Sequence, residues 1–278
     1  MADHAETTGW DGLYVYDHFM PFDEGGAPRS GPVLEGWTTL TAIAGRTERL
    51  RLGTLVLGNL YRHPALVANM AATLDQISNG RVVLGIGAGW QRNEHDAYGI
   101  ALPAPSLLVD QFEEACAVIS LLLLEESSTF SGHYYTLTGA PCEPKPVQRR
   151  LPLLIGASGE RRMLAVVAQW ADEWNAWTTP DVFRRKSGIV DRCCESIGRD
   201  PASIRRTTQA VIELVGDHST RGEPDPQTIT GTTSELADTM AEYERAGCDE
   251  FIVPDDYTVS IVERLDTLDQ LKRDVFGR

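Results

Sequence analysis

Short apolar runs of strand length alternate along this chain with longer stretches whose apolar positions recur at helical spacing. Residues 12–16 read as a strand ending at Asp17-His18, and 33–49 as a helix with Leu34, Trp37, Leu40, Ile43 and Ala44 on one face. A second strand covers 51–57. Pro64 suits the first position of a helix whose buried stripe is Val67, Met70, Ala71, Leu74 and Ile77, and Asn79-Gly80 closes it as a C-cap. The β-branched run at 82–86 meets glycines at alternate positions, Gly85, Gly87 and Gly89, then Trp90 and a dense polar cluster. That is a buried strand opening into a loop, where glycine admits close backbone approach. A long apolar-faced helix follows at 106–124.

The rhythm breaks at 125–150, where Pro141, Pro144 and Pro146 exclude helix; the segment reads as an excursion with a short hairpin at 130–137. It resumes with strand 153–155, loop 156–159, helix 160–171, strand 173–177 and helix 182–197. A strand within 204–215, a polar loop at 216–230, helix 234–246, strand 250–253 and helix 259–276 complete the chain. Repeated β-α units imply a parallel sheet. The number of units predicts an α/β fold of the TIM (β/α)8-barrel type, as one domain over 1–278. Seven core strands are counted where such a barrel has eight, so the first strand and most of the first helix are expected to be lacking.

Composition narrows the partners. The net charge of −15 disfavours nucleic acid and anionic membrane. No apolar run approaches membrane-spanning length, and the acidic N-terminus carries no signal-peptide core. Five cysteines without a C-x-x-C pair suggest neither disulfide framework nor zinc site, and fit a reducing cytoplasm. The partner expected is a small-molecule substrate.

Candidate chemistry gathers at predicted strand ends, where barrels place their sites. Asp17 and His18 end the first strand; His18 is either a proton-handling group or a buried histidine holding a loop, with Asp17 as a cap. Arg62 and His63, just before a helix, could meet an anion. Gly156-Ala157-Ser158-Gly159-Glu160-Arg161-Arg162 forms a second small-residue loop running into a helix. Its backbone N–H groups and Arg161 or Arg162 could hold a phosphate, or the loop could be merely exposed and basic. Trp177, at a strand end, could wall a planar ligand. No H-E-x-x-H, G-x-S-x-G or Cys–His arrangement is present, so metal hydrolysis and serine chemistry have no support, and no metal is expected. A flat, π-rich, anionic cofactor in a loop-built mouth fits best.

Several segments together resemble the luciferase-like monooxygenase superfamily, in its branch using the deazaflavin coenzyme F420. They are Gly9-Trp10-Asp11 with Val15-Tyr16-Asp17-His18-Phe19, Leu52-Gly53-Thr54-Leu55-Val56 with Arg62-His63-Pro64, and Asp75-Gln76-Ile77-Ser78-Asn79-Gly80-Arg81. Further along come Gly85-Ile86-Gly87-Ala88-Gly89-Trp90 with Glu94-His95-Asp96-Ala97-Tyr98-Gly99-Ile100, then Glu143-Pro144-Lys145-Pro146-Val147-Gln148, then 154–160 with Ala171-Asp172-Glu173-Trp174-Asn175. The resemblance implies an oxidoreductase that transfers a hydride between F420 and a small organic substrate, and a homodimer. It implies a non-prolyl cis peptide at Leu55–Val56, with Gly58 just beyond, against the deazaflavin. Ala88, Gly89, Trp90 and Asn93 would contact the cofactor; Gly156, Ala157, Ser158, Gly159, Glu160 and Arg161 would take its phosphate. Asp17 and His18 match the family's catalytic Asp-His. Where the sugar-phosphate dehydrogenase branch has a catalytic Glu after the glycine-rich loop, this chain has Trp90, which puts sugar-phosphate oxidation in doubt.

Two other readings share the fold: a two-component monooxygenase using FMN, and a truncated, catalytically silent barrel serving as a subunit or binding protein. Substrate choice is expected to lie in loops 21–32, 92–105 and 216–230.

Overall fold

A computed structural model of the chain describes residues 1–21, 31–215, 228–255 and 260–277. Most of the loops expected at 21–32 and 216–230, and the start of the helix expected at 259–276, lie outside those residues. The chain forms two compact units, Ala2–Gly156 and Ala157–Arg278, the latter joined by Met1.

In chain order the first unit contains α1 (Ala2–Thr7), β1 (Gly12–Val15), α2 (Gly36–Ala44), β2 (Arg51–Thr54), β3 (Leu57–Gly58) and α3 (Pro64–Ser78). It continues with β4 (Val82–Gly87), α4 (Arg92–Tyr98), α5 (Pro105–Leu124), β5 (Ser128–Ser131), β6 (Thr136–Ala140) and β7 (Leu153–Gly156). The parallel strands run β1-β2-β4-β7, and β3 pairs with β4. The antiparallel β5–β6 hairpin is the expected excursion.

Differences from the expected elements have local causes. α1 lies where no element was expected; the Glu6 carboxylate holds it by accepting the N–H groups of Glu48, Arg49 and Leu50 at 3.2, 2.8 and 3.1 Å. α2 is shorter than 33–49 because Glu35 caps it, accepting from the Trp37 and Thr38 N–H groups. Leu34 therefore falls outside the helix and is 77% exposed. α3 starts at Pro64 and ends with Asn79 left-handed at φ 55°, as the C-cap predicts. Val67, Ala71 and Leu74 are buried, whereas Ile77 is exposed. The strand expected at 51–57 is split: β2 stops at Thr54, the Leu55–Val56 peptide is cis, and β3 resumes at Leu57.

The motif 75–81 fastens the end of the sheet where β4 begins. The buried Asp75 carboxylate accepts the Gln148 backbone N–H at 2.9 Å and its side-chain amide at 2.7 Å. Arg81 donates to the carbonyls of Ala44, Thr47, Leu50 and Ser78. These contacts tie elements together and lie away from the strands' C-terminal ends.

The second unit contains α6 (Met163–Trp170), β8 (Glu173–Trp177), α7 (Pro180–Ser196), β9 (Arg205–Gln209), β10 (Val211–Leu214), β11 (Thr228–Gly231), α8 (Thr233–Arg245), β12 (Glu250–Ile252) and α9 (Ile261–Asp274). Its parallel strands run β8-β9-β12, and the strand expected within 204–215 is two, since β10 leaves to pair with β11. Trp174 and Phe183 stack at 5.7 Å in its core. Capping boxes at Thr232/Glu235 and Ser260/Glu263 start α8 and α9. Setting aside β3 and the two small pairs, seven sheet strands are present among the described residues, all parallel within their units. This is the α/β, TIM-barrel-type fold expected.

Candidate active site

In the first unit, polar groups converge just past the C-terminal ends of β1, β3 and β4. Asp17 is buried, and both its oxygens are engaged. Arg62 grips it in a bidentate pair at 2.7 and 3.0 Å, and the Gly58 N–H donates to Oδ2 at 2.9 Å. The other side of Arg62 binds Glu35 Oε1 at 2.7 Å. Burial opposes charge on Arg62, but the bonds to Asp17 and the attraction of Asp17 and Glu35 outweigh it, so its pKa lies above the ordinary value. The anion contact suggested for Arg62 and His63 is therefore corrected. Arg62 is saturated by two carboxylates, and His63 Nδ1 accepts the Ala65 N–H as the cap of α3.

His18 meets a different carboxylate. Its Nδ1 donates to Glu94 Oε2 at 3.0 Å. Glu94 is fully buried on α4, and Oε2 also accepts the Tyr61 hydroxyl at 2.8 Å. Oε1 accepts the backbone N–H groups of Phe19 at 2.5 Å and Met20 at 2.9 Å. Burial pushes the Glu94 pKa up; the four donors outweigh that and hold it below the usual glutamate value. Burial and the bond to Glu94 push the Tyr61 pKa upward, so its hydroxyl stays protonated as a donor. Because a carboxylate only accepts, Nδ1 of His18 carries the proton, and Nε2 bears the lone pair in the neutral ring.

Aromatic rings surround this pair. Trp90 stands edge-on to His18 at 5.5 Å, Phe19 packs on Tyr61 and Tyr98, and Tyr61 stacks on His95 at 5.2 Å. Trp90 is 64% exposed, and with Gln91, Arg92 and Asn93 it lines a cavity of about 290 Å³. Ala88 and Gly89 lie between β4 and this cavity wall, Gly89 with φ at 102°.

The glycines of β4 serve the protein's own chain. A Cβ on Gly85 would lie 1.9 Å from the Thr54 carbonyl oxygen, and one on Gly87 would lie 2.8 Å from a Val56 methyl. Gly156 likewise faces both Val56 methyls at 3.0 Å. Gly58, named as a cofactor contact, has its open side filled by the Tyr61 ring at 2.7 Å. Around the cis bond, the Thr54 hydroxyl replaces the missing ladder bonds, donating to the Gly85 carbonyl at 2.7 Å and accepting the Gly85 N–H at 3.0 Å. Leu55 and Val56 are partly exposed.

In the second unit, by itself, Ala157 is buried and Ser158, Gly159, Glu160 and Arg161 are exposed. A further positive charge at this loop comes from a residue the sequence did not single out. Lys186 of α7 is buried, and its Nζ donates to the Ser158 carbonyl at 2.5 Å. Burial lowers the Lys186 pKa. Glu160 pairs with Arg185 at 2.6 Å, so it balances charge at the loop. Trp177 ends β8 half-exposed. Glu35, Tyr61, Glu94 and Lys186 were all missed as partners. Glu94 lies 76 residues from His18, and no spacing rule links them.

A family sequence model described as luciferase-like monooxygenase matches residues 1–221. Curated relatives include an F420-dependent glucose-6-phosphate dehydrogenase of Microbacterium testaceum, 38% identical over 158 residues, 56% of this chain and 45% of that protein. Another protein of that name, from Intrasporangium calvum, is 35% identical over 269 residues, covering 86% of this chain and 78% of its own. The chain spans about half the length of the first curated relatives it matches, 45%, 48% and 45%. Among solved structures, an F420-dependent secondary alcohol dehydrogenase superposes with a TM-score of 0.81 at 20% identity, covering 99% of this chain and 93% of its own. A long-chain alkane monooxygenase superposes with 0.79 at 16% identity, covering 98% and 82%. These structures share the fold.

Proposed function

The chain belongs to the luciferase-like monooxygenase family, and from that premise we propose that it is an F420-dependent oxidoreductase acting on a small organic substrate. The observation that carries this reading is the His18–Glu94 pair, an imidazole held in one tautomer with Trp90, a wall of the adjoining cavity, edge-on to it.

The residues present fit a flat conjugated ring. The bulge at Leu55–Val56, Ala88, Gly89, Trp90 and Asn93 would hold it, and a deazaflavin supplies two-electron transfer when bound. The chain's own groups supply the rest. As neutral imidazole, His18 takes a proton at Nε2 from a substrate hydroxyl; as imidazolium it gives one to a carbonyl oxygen. Glu94 and Tyr61 hold the ring in place. Asp17, engaged by Arg62 and Gly58, acts as an anchor for the loop carrying His18. In its own unit, the loop of Ala157, Ser158, Gly159, Glu160 and Arg161 is proposed as an anion site with Lys186 as its charge, and Trp177 as an aromatic wall. We place the protein in the cytoplasm as a homodimer. All five cysteines are free, and no helix among the described residues is long and apolar enough to cross a membrane.

Titrating the protein with F420 and following cofactor fluorescence tests the reading. Saturable binding supports it, whereas uptake of FMN alone, with oxygen consumption on reduction, replaces it with the monooxygenase reading. Binding of neither refutes both.

A further inference from the structure

The cavity at the end of β4 contains a side chain that the proposed proton chemistry does not use. Gln91, the residue before α4, is only 3% exposed, yet both its amide nitrogen and its amide oxygen lack a hydrogen-bond partner. Nor does the side chain cap the helix it precedes. A carboxamide shielded from water with donor and acceptor both unmet is costly, and a native structure gives such groups a partner. The helix that Gln91 precedes carries a second orphan. His95 Nδ1 donates to the Ile100 carbonyl at 3.2 Å, while its buried Nε2 has no partner and would sit 3.9 Å from a Cβ on Gly89.

We propose that Gln91 is a ligand-binding residue whose amide pairs with the adjacent N–H and C=O of a planar lactam or imide lying against Trp90 in this cavity. Three observations specify that chemistry. Donor and acceptor are unmet together on one planar group, so the complement presents both, side by side, in a plane. The residue lines a cavity of about 290 Å³, room for a small bicyclic ring. Its neighbour Trp90 offers an exposed indole at the same wall. Two sources could bring such an edge: the pyrimidinedione ring of the cofactor proposed above, or a substrate. Only the first rests on the F420 reading.

The test uses the full chain with 2-quinolone, a neutral bicyclic lactam, against 2-methoxyquinoline, which has the same ring without the N–H. Calorimetric titration should show a preference of about three- to tenfold for the lactam, the worth of one neutral hydrogen bond to a matched partner. Gln91→Met keeps the volume and removes both polar atoms. It should erase the preference while holding or raising the thermal midpoint, because the unpaired amide is gone. F420 titration of the variant identifies the source. Weakening of 2-quinolone alone assigns the edge to a substrate, and weakening of F420 by a similar factor assigns it to the cofactor. A wild-type protein with no lactam preference, whose F420 affinity Gln91→Met leaves unchanged, overturns the proposal and leaves Gln91 as the partner of a buried water. If the wild type takes up no F420, the cofactor reading fails separately, and the comparison of the two quinolines still decides this one.

Discussion

Replacing Glu94 by Gln tests whether a buried carboxylate sets the proton position on His18. Glutamine keeps one acceptor oxygen and turns the other into an NH2 donor. With the oxygen facing the Phe19 and Met20 N–H groups, the NH2 meets the Tyr61 hydroxyl and His18 Nδ1, both now donors. Tyr61 can rotate to accept. His18 can accept at Nδ1 only by moving its proton to Nε2, which removes the lone pair that the proposed proton transfer uses. Four charge-assisted bonds of about 1.5–3 kcal/mol each become neutral bonds of about 0.5–1.5 kcal/mol, a gross loss of about 4–6 kcal/mol; the neutral side chain no longer bears the burial cost of the charge, which returns about half and leaves a net loss of about 2–3 kcal/mol. For a chain of this size that is a fall in Tm of roughly 4–12 °C. Turnover should fall by about 10²–10⁴, the usual worth of a positioned acid–base group, while the F420 Kd stays within about twofold. Because the Glu94 pKa is depressed in the folded state, its contribution is complete above the ordinary glutamate pKa and is lost as pH falls through the lowered value. Glu94→Gln should therefore flatten the acid limb of the stability curve. Nitrogen-15 correlation spectra of the histidine rings report the tautomer directly. A variant that keeps Nδ1–H on His18 and wild-type turnover, in a protein that His18→Ala inactivates, would refute the reasoning.

Arg62→Met strands the buried Asp17 carboxylate and should destabilise by about 3–5 kcal/mol, with Asp17→Asn on the same chain recovering part of it in urea unfolding. Gly87→Ala should cost about 1–3 kcal/mol by overpacking against Val56, and Val56→Ala should relieve it; Gly85→Ala, which meets the Thr54 carbonyl, should gain no such relief. Lys186→Gln should weaken inorganic phosphate binding to the second unit's loop by about tenfold and reduce its salt dependence, as read by calorimetry; unchanged affinity would remove that loop as an anion site.

Strand and helix order was legible because each apolar run carries the period of its element. α3, β4 and β8 were placed within a residue or two by Pro64, Asn79-Gly80 and the run 173–177. What failed were places where a side chain decides a boundary. Glu35 caps α2 later than the apolar pattern suggests, and Ala2–Thr7 is held as a helix by Glu6 reaching residues 48–50. The site was legible only as separate strand ends. Asp17 and His18 are adjacent in sequence, yet they bind different carboxylate and guanidinium partners, and periodicity cannot say which. Glu94 reads as one carboxylate of a polar cluster near the expected mouth, with no pairing visible from spacing. It is buried because α4 turns its Gln91, Glu94 and His95 side inward while Arg92 and residues 96–99 are exposed.

The glycine series shows most clearly how a motif can point to the right place for the wrong reason. Three alternating glycines suggested a backbone that a ligand approaches. Gly85 and Gly87 instead admit the protein's own bulge: β2 ends at Thr54, two extra residues pass before β3 resumes, and they have room only where β4 and β7 lack Cβ atoms. Gly89 differs in kind. Nothing crowds its Cβ position closer than 3.6 Å, and its left-handed φ of 102° is what requires glycine. The backbone freedom that the motif suggested is therefore needed two residues later, at Gly89. Past it the exposed Trp90 begins the wall of the cavity lined by residues 90–93. The extra residues set Val56 against Gly85, Gly87 and Gly156, and the chain beyond Gly87 passes through Trp90 and Gln91 into α4, where the buried Glu94 accepts from His18.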